Sequence, residues 1–373
     1  MVEIKEAVSK KDIRQFIKLP WKVYRNDQNW VPPLIFDMKN TLDRKKNPFF
    51  EFGEAAYFLA FRDGKCVGRI SAQTNSLHNE FHGTKDGFFG FYECLEDNEA
   101  SKSLLAAAED WVRKRGMNKI IGPENFTIYD EICFQVDGWD EDPPTPVVLE
   151  IYNPKYYIEQ MEKTGYKKEI DWYAFKVDRN YKIKDAYHRI SERIKKNENL
   201  VFRPINIKKL KEETDKVKNI VHGAWAENWG HFPYTEKQFD RVAKGLKLIM
   251  DPRTSFMVEK NGQAVAVALT FPDVNPSVKK MNGRLLPFGW WHLLRAKKKA
   301  VGLRTFLFGV LKEYRNRGID LVLVMDTIKN AVDAGYLWSE CSLVVETNKK
   351  MIDPIVKWGG RPYKTYRLFS KDL

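Results

Sequence analysis

The sequence predicts a mixed α/β chain of two domains, and three observations carry that expectation. At 373 residues the chain exceeds one ordinary domain of roughly 100 to 200 residues. Two hairpins of alternating apolar residues stand far apart, AAYFLAFRDGKCVGRISAQ around Asp63-Gly64 and SFMVEKNGQAVAVALTF around Asn261-Gly262. The order of elements after the first hairpin is then replayed after the second.

In the first half an N-terminal helical stretch and Trp30-Val-Pro-Pro lead into the hairpin, and GFFGFYEC supplies a third strand near 87–94. A helix follows, because Ala100, Leu104, Leu105, Ala108, Trp111 and Val112 recur at helical spacing and Gly116 closes the pattern. The segment VVLEIYNPKYYIEQMEKTGYKK reads as a short strand, an Asn, a helix and a Gly-aromatic turn, with DWYAFKV as a last strand. In the second half RTFLFGV is the next strand, a helix starts after Gly318, and LVVETN (343–348) with its helix answers VVLEIYN (147–153), before the closing strand TYRLF. This pairing points to an internal duplication, with chance similarity of two α/β halves as the alternative. The domains are expected at 1–180 and 195–373, joined by the polar stretch DRNYKIKDAYHRISERIKKNENL.

Composition narrows the class. With 43% apolar and 13% aromatic residues the chain is globular. It has no run near the roughly 20 apolar residues of a membrane span and no signal-peptide pattern at its start, so a cytoplasmic protein is expected. Cys66, Cys94, Cys133 and Cys341 form no C-x-x-C pair, which argues against a zinc or disulfide framework; no metal is expected. A net charge of +13 calls for an anionic partner. Residues 274–312 contain no Asp or Glu while carrying Lys279, Lys280, Arg284, Arg295, Lys297, Lys298, Lys299, Arg304 and Lys312. No known binding module accompanies this basic run, so nucleic acid is not expected.

The stretch FLFGVLKEYRNRGID places a strand end at Val310, and Arg315, Asn316, Arg317 and Gly318 open a helix, with Leu311 and Ile319 as further cofactor-binding candidates. Unpaired N–H groups, the positive helix end and flanking arginines make that a site for a pyrophosphate; an ordinary exposed turn is the plain alternative. In the first half the matching place is CLEDNEASKS, whose Glu96, Asp97 and Glu99 would repel one.

These residues resemble the GNAT superfamily, whose coenzyme A loop reads Q/R-x-x-G-x-G/A. Arg315 and Gly318 match it, Asp320 stands where a small residue is usual, and Asn348 and Gly359 fall at matching downstream positions. Ile355 occupies the place of a Tyr that protonates the leaving thiolate in many members, which leaves Tyr363, Tyr366 or solvent for that role. WVPP, GFFGFYECLEDNEA, GMNKIIGPENF, AWAENWGHFP, GRLLPFGWWHLLR and GGRPYKTYRLF together look like the bacterial ceramide synthase-like family of tandem GNAT proteins over nearly the full length. The resemblance implies two tandem GNAT domains, the first with a degenerate cofactor loop. It also implies transfer of a fatty acyl group from acyl-CoA, or an acetyl group from acetyl-CoA, to an amine, a sphingoid base in that family.

N-acylation needs a neutral amine and an oxyanion donor. Candidates for the base are Glu346 and the group His222, Glu227, Asn228 and His231; the donor is expected near Val310 or Leu311, with Tyr363 as a candidate proton donor. A structural strand-end role for Glu346, whose counterpart would be Glu150, and a helix-face role for His222 stay open. Trp225, Trp229, Phe232 and Tyr234 are candidate walls of an acyl or acceptor channel or plain core. In residues 283–299, Leu285, Leu286, Phe288, Trp290, Trp291, Leu293 and Leu294 adjoin Arg295 and Lys297–Lys299. That makeup fits peripheral contact with an anionic inner membrane, or a helix packed on its own domain. Two rival readings remain: acetylation of a small soluble amine, and a non-catalytic acyl-CoA- or membrane-binding protein.

Overall fold

The computed structural model describes residues 1–181 and 184–373 and divides them into two compact units. The first comprises Met1–Trp172 together with Val278–His292 and Lys364–Leu373; the second comprises Tyr173–Ser277 and Leu293–Tyr363. Lys182 and Ile183, in the expected connector, lie outside the described residues.

Through the first unit the chain runs β1 (Val2–Glu6), α1 (Lys10–Lys18), α2 (Pro20–Val23), α3 (Ile35–Leu42), β2 (Gly53–Arg62), β3 (Lys65–Asn75), α4 (Ser76–His82), β4 (Asp86–Cys94), α5 (Asn98–Arg113), β5 (Lys119–Gly122), β6 (Phe134–Asp137), α6 (Tyr156–Lys163) and β7 (Lys167–Asp178), the last entering the second unit. β1 to β4 are antiparallel neighbours in order, and β4 then pairs parallel with β5 through Asp86–Phe88 against Lys119–Ile121. Asp63 and Gly64 both take positive φ, 50° and 70°, as a tight two-residue hairpin turn requires. One face of the sheet is covered by α5, whose Leu104, Leu105, Ala108 and Val112 meet Phe89, Ile120 and Ile70.

The second unit continues with α7 (Asp185–Glu198), β8 (Leu200–Pro204), α8 (Leu210–Trp225), α9 (Glu236–Lys247), β9 (Phe256–Lys260), β10 (Gln263–Pro272), α10 (Asn275–Lys279, which starts here), α11 (Gly289–Lys299, which ends here), β11 (Gly302–Val310), α12 (Ile319–Asp333), β12 (Trp338–Val345), α13 (Lys349–Lys357) and β13 (Arg361–Asp372). The first unit's order recurs: β8 to β11 are antiparallel neighbours and β11 pairs parallel with β12. Asn261 and Gly262, with φ of 52° and 80°, make the second hairpin turn. Ile319 and Leu323 of α12 pack on Val258, Ala266 and Ala268.

The duplication is therefore present in the strand order, but its expected anchor is corrected. Residues 147–153 form no strand: Leu149 has φ 64° and the Glu150 N–H turns back to the Val147 carbonyl oxygen at 2.9 Å. The counterpart of β12 is β5, so Glu150 is not the equivalent of Glu346. The polar connector is ordered as α7, whose Ile194 packs against the start of α12 and whose Lys195 pairs with Asp326 at 2.6 Å. Residues 278–292 and 364–373, placed in the C-terminal half by their sequence position, belong to the first unit, where Phe369–Asp372 pair with β5.

Candidate functional site

The site begins where two parallel strands stop pairing. β11 and β12 are registered through Gly302–Thr305 against Trp338–Cys341, and among the described residues no pairing continues while β11 runs on to Val310 and β12 to Val345. The Leu311 N–H donates to the Val265 carbonyl oxygen at 3.0 Å. Strand alternation therefore turns the Val310 N–H and C=O away from β10, toward the notch between the strand ends. Of the two amides expected to serve as the donor, Val310's is turned toward this notch and Leu311's is already committed to Val265.

Beyond β11 a short turn leads to Asn316 (φ 62°) and Gly318 (φ 75°). The positive φ favours glycine there, and a Cβ on Gly318 would stand 2.5 Å from Ile194 Cδ1, the tip of a side chain that would have to shift. No side chain caps α12, and its first N–H groups, at Ile319, Asp320 and Leu321, precede the first helical bond, Val322 N–H to the Gly318 oxygen. Lys312, Arg315 and Arg317 flank these amides. The donor set fits a pyrophosphate, with Asp320 in the first turn as an opposing charge.

Arg315 is partly committed elsewhere. Its Nη2 donates to the Ala224 carbonyl oxygen at 3.0 Å and its Nε to that of Val310 at 3.3 Å, tying the last turn of α8 to the end of β11. The Glu227 carboxylate lies 3.6 Å from Lys312, 3.7 Å from Lys350 and 4.0 Å from Arg315, and these cations, Lys350 foremost, hold it below the usual carboxylate range. Asn348 caps α13, its Oδ1 accepting from the Met351 N–H at 3.2 Å, and its Nδ2 donates to Asn228 Oδ1 at 3.2 Å. Glu346 follows β12 directly and is half-buried.

α8 lies close on β11, with Gly309 facing Ile220 and Ala224, and Gly223 facing Leu311. The half-buried His222 on this helix has its ring centroid 6.4 Å from that of the buried His231. Burial, and then Lys218, push the His222 imidazole below its ordinary pKa, so it is neutral near pH 7 and able to accept a proton. The structure thus gathers His222, Glu227, Asn228, His231, Arg315 and Asn348 on neighbouring elements of one unit.

No family model matches the chain. The bacterial ceramide synthase of Caulobacter vibrioides is 36% identical over 371 residues, 97% of this chain and 95% of that protein. The chain belongs to the bacterial ceramide synthase family. Protein YghO of Escherichia coli is 30% identical over 382 residues, 99% of this chain and 95% of the relative. Among solved structures, a tandem GNAT protein from the clavulanic acid biosynthesis pathway matches with TM-score 0.57 at 10% identity, covering 100% of this chain and 98% of that one. A GCN5-related N-acetyltransferase from Sphaerobacter thermophilus matches with TM-score 0.53 at 12% identity, covering 100% and 95%. The fold is a GNAT fold, and this member of the bacterial ceramide synthase family is an N-acyltransferase.

Tyr363 does not stand with the loop. Its hydroxyl donates to the Glu340 carboxylate, which is fully buried and also accepts from Ser342 Oγ at 2.6 Å; Arg304 Nε donates to the same Ser342 Oγ at 3.0 Å. Glu340 precedes Glu346 by six positions, roughly 20 Å along an extended strand. The expectation that Tyr363 could protonate a leaving group at the loop is therefore corrected. Lys350 and the Ala224 carbonyl were missed from the sequence; Lys350 was legible as a cation two residues past Asn348, whereas a backbone acceptor carries no residue-type signal.

The corresponding place in the first unit of this bacterial ceramide synthase family member is filled by the chain itself. Asp97 caps α5 by accepting from the Ala100 N–H at 3.1 Å, and Arg62 grips Asp97 at 2.7 and 2.8 Å. Next to β4, the Glu124 N–H donates to the Phe89 oxygen at 2.8 Å and the Phe91 N–H to Asn125 Oδ1 at 2.6 Å. A Cβ on Gly90 would fall 2.1 Å from the Glu124 oxygen, so residues 124–125 close the space that stays unpaired beside β11.

Proposed function

We propose that the second unit moves a long-chain acyl group from acyl-CoA to the amine of a sphingoid base. The observation that carries this reading is the unpaired notch between β11 and β12, followed by an uncapped helix N-terminus that Lys312 and Arg317 precede in the chain, with Lys312 and Lys350 meeting at Glu227, in a chain 36% identical to a bacterial ceramide synthase. The amides of Gly318, Ile319 and Asp320 with those cations hold the pyrophosphate, displacing the Glu227 carboxylate. The bound thioester supplies an activated acyl carbonyl. Val310 offers its N–H to the oxyanion that forms on attack, and neutral His222 takes the proton from the amine as it adds. Asn348 acts as a positioning residue, joining the 226–231 loop to the start of α13. Arg315 clamps α8 against β11 so that His222 keeps its place, and solvent protonates the departing thiolate.

The first unit, its anion position occupied by Asp97 and its notch by residues 124–125, serves as scaffold. A sphingoid amine lives in a bilayer, which puts the enzyme at the inner face of the cytoplasmic membrane as a peripheral protein. The test offers purified protein acetyl-CoA or palmitoyl-CoA with sphinganine, 3-ketosphinganine or a soluble polyamine, following thiol release and identifying products by mass spectrometry. Release with the long-chain donor and a sphingoid amine alone is expected. Turnover of acetyl-CoA with the polyamine would replace this reading with a small-molecule acetyltransferase, and thioester binding without turnover would make the protein a binding module.

A further inference from the structure

The segment 284–299 buries Gly289 and Ala296 and exposes five of its seven large apolar side chains, Leu285 and Leu293 being half-buried. On α11 the inward positions are Gly289 and Ala296, with Ala296 1% exposed, whereas Trp290 and Trp291 are each 45% exposed and Leu294 67%. At 100° per residue Trp290, Leu294 and Trp291 fall within an arc of about 100° on the outward side. Just before the helix Leu286 and Phe288 are 75% and 74% exposed, so the apolar surface extends past the helix start. The arrangement is held in place: the Trp290 N–H donates to the Leu285 oxygen at 2.9 Å, the Trp290 indole to the Pro287 oxygen at 2.9 Å, and the two tryptophans meet edge to face at 5.8 Å.

Charge surrounds this surface on one sign only. Arg284, Arg295, Lys297, Lys298 and Lys299 are exposed, and no Asp or Glu occurs from 274 to 312. Lys298 projects within the apolar arc, and Lys297 and Arg295 border it on either side. A segment exposing five large apolar side chains next to five cations is unfavourable in water and matched by a surface that is apolar inside and anionic outside. A second copy of this chain is a poor match, because an isologous contact would set the same cations against themselves on a molecule of net charge +13.

We propose that residues 284–299 dock the enzyme on an anionic bilayer, with Leu286, Phe288, Trp290, Trp291 and Leu294 entering the headgroup–acyl boundary and the lysines and arginines contacting lipid phosphates. Indoles at headgroup depth and long basic side chains reaching up to the phosphates are the chemistry such an interface selects. The inference adds a partner to the lipid-amine reading and rests on it only for the purpose of docking; binding itself is measured without substrate.

The experiment is co-sedimentation of the full chain with vesicles of phosphatidylglycerol and phosphatidylcholine, with tryptophan emission recorded alongside. Expected are binding that weakens as salt is raised or as phosphatidylglycerol is removed, and a blue shift on binding. Phe288→Ala with Trp291→Ala, and separately Arg295→Glu with Lys298→Glu, should each lower vesicle affinity by about ten-fold or more, with unchanged thermal melting. Undiminished binding in both double variants, equal binding to neutral vesicles, or a dimer in solution that either pair dissolves would overturn the proposal. Failure of docking with acyl transfer intact on a detergent-dispersed sphingoid amine would leave the reaction standing and remove only the membrane surface. Docking without any acyl transfer would do the converse.

Discussion

The guanidinium of Arg315 is engaged by the Ala224 and Val310 carbonyl oxygens, so this residue, which the motif marks as a phosphate ligand, also fixes the helix that carries His222. The anion-like place among the cations is held by Glu227. Removing that charge should help an incoming pyrophosphate: Glu227→Gln is expected to tighten coenzyme A binding several-fold in calorimetric titration. If His222 is the base, His222→Gln should lower kcat by about 100-fold with little change in the KM for the donor. The sign of the pH dependence follows from its environment. The neutral form is the active one, and burial lowers the folded pKa below 6.5, so kcat/KM, expressed per neutral acceptor amine, should stay flat above that value and fall on the acid side of it. A profile falling already above pH 7 would assign the base to another group.

At the scale of elements, the join between α7 and α12 concentrates strain tolerance in one residue. Gly318→Ala adds a Cβ both at positive φ and against Ile194, and should destabilise the second unit by about 1–2 kcal/mol in thermal melting. Loss of coenzyme A binding with unaltered melting would instead make Gly318 purely a ligand-approach position. The elements most legible in the sequence were those with local signals. Asp63-Gly64 and Asn261-Gly262 mark their hairpins through a turn type that demands positive φ, and α5 announces itself by apolar spacing. VVLEIY misled because an apolar run reports burial and not pairing: Val147 and Val148 are buried, yet the chain turns at Leu149. The commitments of Leu311 and Tyr363 were invisible for a related reason, since a ladder bond to Val265 and a hydroxyl bond to Glu340 depend on neighbours distant in sequence.

For the molecule as a whole, the repeated order of antiparallel strands closing on a parallel pair was readable, whereas the assignment of 278–292 and 364–373 to the first unit was not, because strand partners separated by some 250 residues leave no local trace. The two units also differ in their titration. Burial pushes Glu93 of the first unit up to about 7, against the opposing pull of Arg69 and Tyr157. A carboxyl with a raised folded pKa binds more protons folded than unfolded between about 4.5 and 7, so stability should decline as pH rises through that window, by about 1–3 kcal/mol. Glu93→Gln should flatten this slope in urea denaturation followed from pH 5 to 8; an unchanged slope would assign the effect to other buried acids. The division of labour between the units is tested most directly by the stoichiometry of coenzyme A binding in calorimetry. One site per chain, abolished by Gly318→Glu and untouched by Asp97→Asn, is the expected result. Two sites per chain, or one that survives Gly318→Glu, would contradict the assignment of the thioester to the second unit.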